Sequence, residues 1–448
     1  MCIKIPRGES QHPALSQDGL LFLFAWAALV WSASMSHLIA PTTQNNVTLT
    51  AVLMRASITD PLPGVWGFVL ALYLVADVWL RGRAQAWGKN IALSCMVIGF
   101  LLLPTVLAII YRSSSQPHTF VHDGAIQVEQ AAQFFLRGQN PYTVDYTRTP
   151  MAEWPFSEDG LKVNPALYHL PYLPLLWLGT IPFALVFQNV LGWYDVRVVY
   201  LVCFLASLIL ILHSRLFREN RFSAAIVLAL NPLLIPFLIE GRNDIVVSFW
   251  LVVALVLLNK QRLGMAGLAV AAAVASKQTA WFIVPFFVMY VWACGEKTSW
   301  AGRLKPLLPG LFLLALCVVP FWLWDPNAFW DDVVSYQSGA GGGVVYPIKS
   351  LGFGSVLLGS GLVENNTDAF PFVWLQLVFG IPLVVWLLRR QLKEQSLMRL
   401  VLNYALLLSV ILFFSRTFND NHLGFVITWL GLAFLLPGAK YPSPMIEP

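Results

Sequence analysis

The chain has 448 residues, 58% of them hydrophobic and 11% charged, with a mean hydropathy of +0.68. Soluble domains carry charge on about a quarter of their residues, and no soluble core hides repeated apolar runs of about 17 to 25 residues, so composition excludes a water-soluble fold. The net charge of +5 comes from basic side chains scattered in short clusters between apolar runs rather than gathered on one face, so it gives no sign of a nucleic-acid partner, and none is expected.

The first apolar run, Leu20 to Ala40, lacks a small-residue cleavage site and is followed by further runs, so it reads as a retained helix. Only helices or closed barrels span a bilayer, because lipid offers the backbone no hydrogen-bond partner, and short basic loops mark the cytoplasmic side. The basic clusters around Arg7, Arg83, Arg218, Lys260, Arg303, Arg390 and Lys440 must then be separated by even numbers of crossings. That parity assigns Tyr168 to Phe187, with Pro171, Pro174 and Pro182, to the outer interface or a re-entrant path, and keeps the glycine-rich Leu351 to Val363 from crossing. The fold expected is all-α, with twelve spans near 20–40, 64–80, 91–111, 197–213, 222–239, 244–259, 264–276, 279–294, 306–324, 371–388, 399–415 and 422–436. Both termini are then cytoplasmic, and the acidic side chains, which played no part in drawing the map, fall mostly outside.

Two outer regions exceed simple connectors, 112–196 and 325–370, and long ordered loops are usually functional. In the first, Ile126, Val128, Ala131, Ala132, Phe134, Phe135 and Leu136 fall largely on one helical face, with Gln127, Glu129, Gln130 and Gln133 interspersed. This predicts an amphipathic helix lying flat on the membrane, ended by Gly138 and Asn140-Pro141, with Asp123 just before its first turn. A carboxylate placed where a span enters water can do acid/base chemistry on a substrate held at the interface. The five cysteines, Cys2, Cys95, Cys203, Cys294 and Cys317, form no CxxC pair and read as apolar fillers, without disulfides or thiol-bound metal.

Ionisable groups at membrane depth are costly and point to function. Lys277 interrupts the run Gly264 to Ala293; at the outer tip of a tight hairpin its ammonium meets a phosphate, and otherwise it is a snorkelling lysine at a turn. Glu240-Gly241-Arg242-Asn243-Asp244 forms an outer turn so short that Arg242 lies at the membrane surface, where it binds phosphate or carboxylate with Asp244 orienting it, or simply pairs with Asp244. Arg416, before Asn419-Asp420-Asn421-His422, has the same two readings, and His422 alone is a hydrogen-bonding residue more often than a catalyst. Gly339, Gly341, Gly342 and Gly343, followed by Tyr346 and Lys349, suggest a mobile lid with phosphate-compatible groups, or a linker; no phosphate-loop pattern is present. Asp331-Asp332 reads as a solvated helix start rather than a cation site. Glu129 joins the candidate substrate-binding set, and no metal or cofactor is required.

Asp123 through Phe135, Arg137-Gly138-Gln139-Asn140-Pro141-Tyr142 and Tyr168-His169-Leu170-Pro171-Tyr172-Leu173-Pro174 resemble the first outer loop of GT-C superfamily glycosyltransferases, most closely family 87 and related polyprenyl-phosphate-mannose or arabinofuranose-dependent enzymes. Gly241-Arg242-Asn243-Asp244, Ala266-Gly267, Lys277 and Pro285 are similar to that family's middle helices, so the resemblance covers about 101–436. It implies a GT-C-like transmembrane domain over 91–448, preceded by a cytoplasmic tail and an added hairpin over 1–90. It also implies that Asp123 is the catalytic aspartate, that Lys277 and Arg416 face the donor phosphate, and that a polyprenyl-phosphate sugar is transferred with inversion to a glycan or lipid acceptor in the cell envelope. Two departures stand out. Two spans precede the one leading to Asp123, where family members commonly have none, and Gly241-Arg242 replaces an expected Gly-Gln, which leaves the sugar open.

The chemistry fits these residues in its own right. Inverting transfer needs one base for the acceptor hydroxyl as an oxocarbenium-like centre develops, and a lipid phosphate leaving group is stabilised by positioned cations such as Lys277, Arg242 and Arg416 without a metal. Tyr168, Tyr172 and Trp177 suit the wall of a groove for the lipid tail, although aromatic belts occur in membrane proteins of any function. The rivals are a twelve-span secondary transporter, against which stands the lack of matching interrupted helices in the two halves, and a non-catalytic envelope scaffold.

Overall fold

The computed structural model describes residues 15–39, 63–156, 161–295, 299–339 and 345–438, and the protein is mostly helical. In chain order the main helices are α1 (Gln17–Ile39), α2 (Pro63–Val78), α3 (Gly82–Ser113), α4 (Asp123–Leu136), α5 (Pro174–Leu191), α6 (Arg197–His213), α7 (Arg221–Ala229), α8 (Ile235–Glu240), α9 (Asp244–Asn259), α10 (Leu263–Val274), α11 (Gln278–Cys294), α12 (Trp300–Trp324), α13 (Phe353–Gly359), α14 (Phe372–Lys393), α15 (Leu397–Phe413) and α16 (Asp420–Leu435). A short helical segment over 326–338 precedes the glycine run, whose Gly341, Gly342 and Gly343 lie outside the described residues. Among the described residues, α3, α5, α12 and α14 are long and apolar enough to cross a membrane, and α6, α9, α10, α11 and α15 are shorter apolar helices.

The helices pack through small residues where backbones come close. A Cβ on Gly310 of α12 would stand 2.6 Å from the Gly267 carbonyl oxygen of α10, so this close crossing requires glycine at 310. In α3 the π-helical turn Ile98–Leu102 coincides with Gly99, over which the Trp66 indole lies so closely that a Cβ would meet it at 2.1 Å. The ammonium of Lys89 in α3 pairs with Asp77 at 2.7 Å and with Asp18, tying α1 and α2 to α3. Helix α3 also runs unbroken through residue 90, where the sequence suggested a domain border.

Several expected elements come out differently. The span expected over 222–239 is two helices, α7 and α8, separated at Asn231-Pro232; the proline has no N–H to donate, and Asn231 instead donates to the Gly424 carbonyl at 3.0 Å and to Thr428 at 2.9 Å. Pro174–Leu191, assigned to the interface by parity, is long and apolar enough to cross, although it is broken in two at Gly179–Thr180. The segment 351–363, by contrast, agrees with its expectation of not crossing: it forms only the short helix α13.

Helix α4 does not turn Gln127 and Glu129 to water. Gln127 and Glu129 are only 1% and 6% exposed. Gln127 donates to the Ala166 and His169 carbonyls, and Glu129 accepts from both terminal nitrogens of Arg112 at 2.8 and 2.7 Å and from the Val196 N–H at 2.9 Å. Arg112 also reaches Asp195, which is chelated by Arg197, so two guanidinium and two carboxylate groups neutralise one another in the interior. Glu129 is therefore a structural partner of Arg112 and not a substrate ligand. Removing one member of such a buried set leaves an uncompensated charge, at a cost of about 3–5 kcal/mol. Glu129→Ala is expected to lower the thermal midpoint of the detergent-solubilised protein well below that of the wild type, as scanning fluorimetry would measure; an unchanged midpoint would refute this role.

Candidate active site

Residues from four separate parts of the chain line one cavity of about 490 Å³: His122, Asp123 and Gln127 at the start of α4; Trp154, Asn164 and Tyr172 from the loop that follows; Arg242, Asn243 and Lys277 from the turns before α9 and α11; and Tyr336, Tyr346, Lys349, Asn421 and His422 from the C-terminal third. Asp123 is the first residue of α4, with His122 in extended backbone as its N-cap. The capping position sets the carboxylate at the mouth of the helix, where its Oδ1 accepts the Gly124 N–H at 2.7 Å. His122 Nδ1 stands 2.8 Å from the same oxygen and 3.1 Å from the Gly124 nitrogen, so the ring packs against both. Asn164 donates its amide to the other oxygen, Oδ2, at 2.8 Å. Burial alone would raise this carboxyl, but the His122 imidazole, the Asn164 amide and the Gly124 N–H together outweigh it and bring the pKa down to about 2.

The cations are held by a relay of side chains. Lys277, in extended backbone between α10 and α11, donates to Asp244 Oδ1 at 2.6 Å. Asn421 donates to Asp244 Oδ2 at 2.6 Å and accepts from Arg242 at 2.7 Å, while the Arg242 guanidinium lies over the Phe237 ring at 4.4 Å. Asp244 is thus a buried anchor behind the cavity wall, 2% exposed, rather than a group that meets substrate. Lys277 has three N–H donors, so one directed at Asp244 leaves the ammonium able to serve an anion as well. His422 accepts the Asn419 N–H at 3.3 Å within a capping box while its ring faces the cavity.

No known family model, characterised protein or solved structure matches the chain. The site therefore stands on its own geometry.

Of the residues singled out by sequence, Asp123, Lys277, Arg242, His422, Tyr346 and Lys349 are brought to this cavity. Arg416 is not. It is 2% exposed and donates to three backbone carbonyls, those of Tyr346, Asp368 (2.9 Å) and Asn366 (3.1 Å), so it pins the 345–370 loop instead of facing a phosphate. The next residues, Thr417 and Phe418, pair in parallel with Lys349 and Ser350 as a two-residue bridge, which carries Lys349 to the cavity rim. Gly339 belongs to the same device: its φ is +80°, and a Cβ would come within 2.8 Å of the Arg416 guanidinium.

The carboxylates of Asp331 and Asp332 also depart from expectation. Asp332 is not solvated but 4% exposed, accepting from the Leu170 N–H at 2.9 Å and standing 3.0 Å from His169 Nδ1, with Asp331 at 3.5 Å. Burial pushes its carboxyl up to about 6 despite those partners. Among the described residues, His169, Asp331 and Asp332 are the group whose composition suits a metal ion, but the Asp332 oxygens and His169 Nδ1 already serve one another and the Leu170 backbone in joining 165–173 to 331–336.

Sequence reasoning missed His122, Trp154, Asn164, Asn243 and Asn421. His122, Asn243 and Asn421 were legible as neighbours of Asp123, Arg242 and His422; Trp154 and Asn164 arrive from a loop whose spacing carries no pattern. Because the His122 charge is the leading influence that lowers the Asp123 carboxyl, His122→Gln is expected to raise the Asp123 pKa, and with it the acid limb of any activity that needs the carboxylate ionised. A pH–rate profile unmoved by His122→Gln would contradict the coupling.

Proposed function

We propose that the protein is an integral membrane glycosyltransferase of GT-C type. It would transfer a mannosyl, arabinofuranosyl or related glycosyl unit from a polyprenyl-phosphate donor to a hydroxyl of a glycan or lipid acceptor on the extracytoplasmic face. The observation that carries the reading is that Asp123, an ionised carboxylate, and Lys277 and Arg242, held apart from it by their own anchors, open onto one cavity. On this reading the chain crosses the membrane twelve times with both termini cytoplasmic, and Pro174–Leu191, broken at Gly179–Thr180, enters and returns on one side.

The transfer balances with these groups alone. The acceptor oxygen bonds to the anomeric carbon on the face opposite the leaving group, the bond from that carbon to the phosphate oxygen breaks, and its electron pair leaves with the phosphate. Lys277 and Arg242 meet the charge that develops on that phosphate. The acceptor proton goes to Asp123. An oxygen that is bonding to a carbocation-like centre becomes strongly acidic, so a carboxylate with a pKa of about 2 suffices as its base and stays ionised at every physiological pH. The aromatic side chains Trp154, Phe156 and Tyr346 on the same cavity suit the apolar faces of sugar rings.

The test is transfer in proteoliposomes from polyprenyl-phosphate-mannose or polyprenyl-phosphate-arabinofuranose. Asp123→Asn is expected to lower kcat by about 10²- to 10⁴-fold with the protein still folded. Lys277→Ala is expected to raise the KM for donor about tenfold or more, losing one charge-assisted contact of about 1.5–3 kcal/mol. Full activity in Asp123→Asn would overturn the assignment.

A further inference from the structure

The reading above leaves the Tyr172 hydroxyl, one of the polar groups on the cavity, without a task. Tyr172 comes from the loop before α5, and its backbone is clamped on both sides: Gln278 donates to the Pro171 carbonyl at 2.7 Å, and Tyr142 donates its hydroxyl to the Tyr172 carbonyl at 2.8 Å. The ring therefore has little freedom, and its hydroxyl projects into a hollow that exists because residue 124 is glycine. A Cβ on Gly124 would stand 2.2 Å from the Tyr172 oxygen, closer than any real contact. Gly124 is in the first turn of α4 with ordinary helical backbone, so no conformational demand requires glycine there. Space for the phenol is the demand.

The hydroxyl lies between the two ends of the site. On one side is Asp123, the neighbour of Gly124; on the other is Asn243, which lies next to Arg242 in sequence and lines the same cavity. Among the described residues no hydrogen bond of the Tyr172 hydroxyl is found, which leaves its proton for a ligand in the cavity. Burial and the Asp123 carboxylate hold the phenol well above its ordinary range, so it remains a donor wherever the carboxylate is ionised. If Asp123 takes the acceptor's proton and Lys277 and Arg242 take the phosphate, whatever lies between them is the unit being transferred.

We propose that the Tyr172 hydroxyl, seated in the Gly124 hollow, donates a hydrogen bond to an oxygen of the transferred glycosyl unit, making Tyr172 a substrate-contacting residue that recognises the sugar rather than the lipid phosphate. This rests on the glycosyltransferase reading and assigns the space between its two charged ends. A site built to hydrogen-bond a substrate oxygen loses much of its discrimination when the donor is deleted.

The experiment compares wild type, Tyr172→Phe, Gly124→Ala and the double variant in proteoliposomes. Two quantities are measured: transfer from polyprenyl-phosphate-mannose or polyprenyl-phosphate-arabinofuranose, and binding of sugar-free decaprenyl phosphate. Tyr172→Phe is expected to lower kcat/KM about 10- to 100-fold, with decaprenyl phosphate affinity within about twofold of wild type. Gly124→Ala, by evicting the hydroxyl, should lower kcat/KM to a similar degree, and adding it to Tyr172→Phe should cost little more, because the clashing oxygen is already gone. Transfer by Tyr172→Phe at the wild-type rate, an equal loss of decaprenyl phosphate binding, or full additivity in the double variant would each overturn the proposal while leaving the transferase reading intact. A wild-type protein that transfers no sugar and binds no decaprenyl phosphate would overturn both.

Discussion

Mutual neutralisation of Arg112, Glu129, Asp195 and Arg197 inside the protein governs where the Asp123 carboxylate can stand. Ion pairs removed from water are costly to form and costlier to break, so the four side chains admit one arrangement and no gradual deformation. Arg112 ends α3, Glu129 sits on α4, and Asp195 and Arg197 open α6, so satisfying the charges fixes three helices at once. Arg197 also donates to the Phe120 carbonyl at 2.7 Å and the Ile239 carbonyl at 3.1 Å, joining the strand of chain that leads into α4 to the turn that carries Arg242.

That junction explains the backbone around the site. Phe120 adopts a left-handed φ of 58°, unusual for a bulky residue, and is held there by the Arg197 contact. The His122 N–H donates to the Glu240 carbonyl at 2.7 Å, and Gly241 turns with φ +95° where a Cβ would press on Ala125 at 3.0 Å and on the Arg197 stem at 3.2 Å. The acid and the basic turn are thus clamped together through backbone, so the separation between carboxylate and cations is set by rigid contacts rather than by the side chains that face the cavity. On the opposite wall Asp244 and Asn421 play the equivalent part for Lys277 and Arg242. Both ends of the cavity are built on buried polar groups whose partners are other protein atoms, which is the preorganisation that charge-stabilising sites require.

Much of this was legible one residue at a time. The apolar runs announce helices, Asp123 stands out at the head of a long polar stretch, and Lys277 and Arg242 stand out because charge is scarce in their surroundings. The same rule misled at Arg416 and Glu129. Scarcity of charge marks a buried ionisable group, but it cannot say whether the compensation comes from a ligand or from the protein. For Arg416 the compensation is three carbonyl oxygens in a loop some fifty to seventy residues upstream, and for Glu129 it is an arginine at the end of a preceding helix. Gln127 and Glu129 made α4 look amphipathic because polarity is read from side chains alone, whereas a buried polar side chain with a full set of partners behaves as core.

The sequence by itself determined that the protein is helical and lipid-soluble, because the length and apolarity of the runs leave backbone groups no other way to be satisfied. It also determined which few ionisable residues carry chemical interest. Only the tertiary structure decided which of them share a cavity, that Tyr172 enters it through a hollow left by Gly124, and that Arg416 and Glu129 are fasteners. These depend on contacts between segments tens to hundreds of residues apart, and close packing, not any local periodicity, chooses among them.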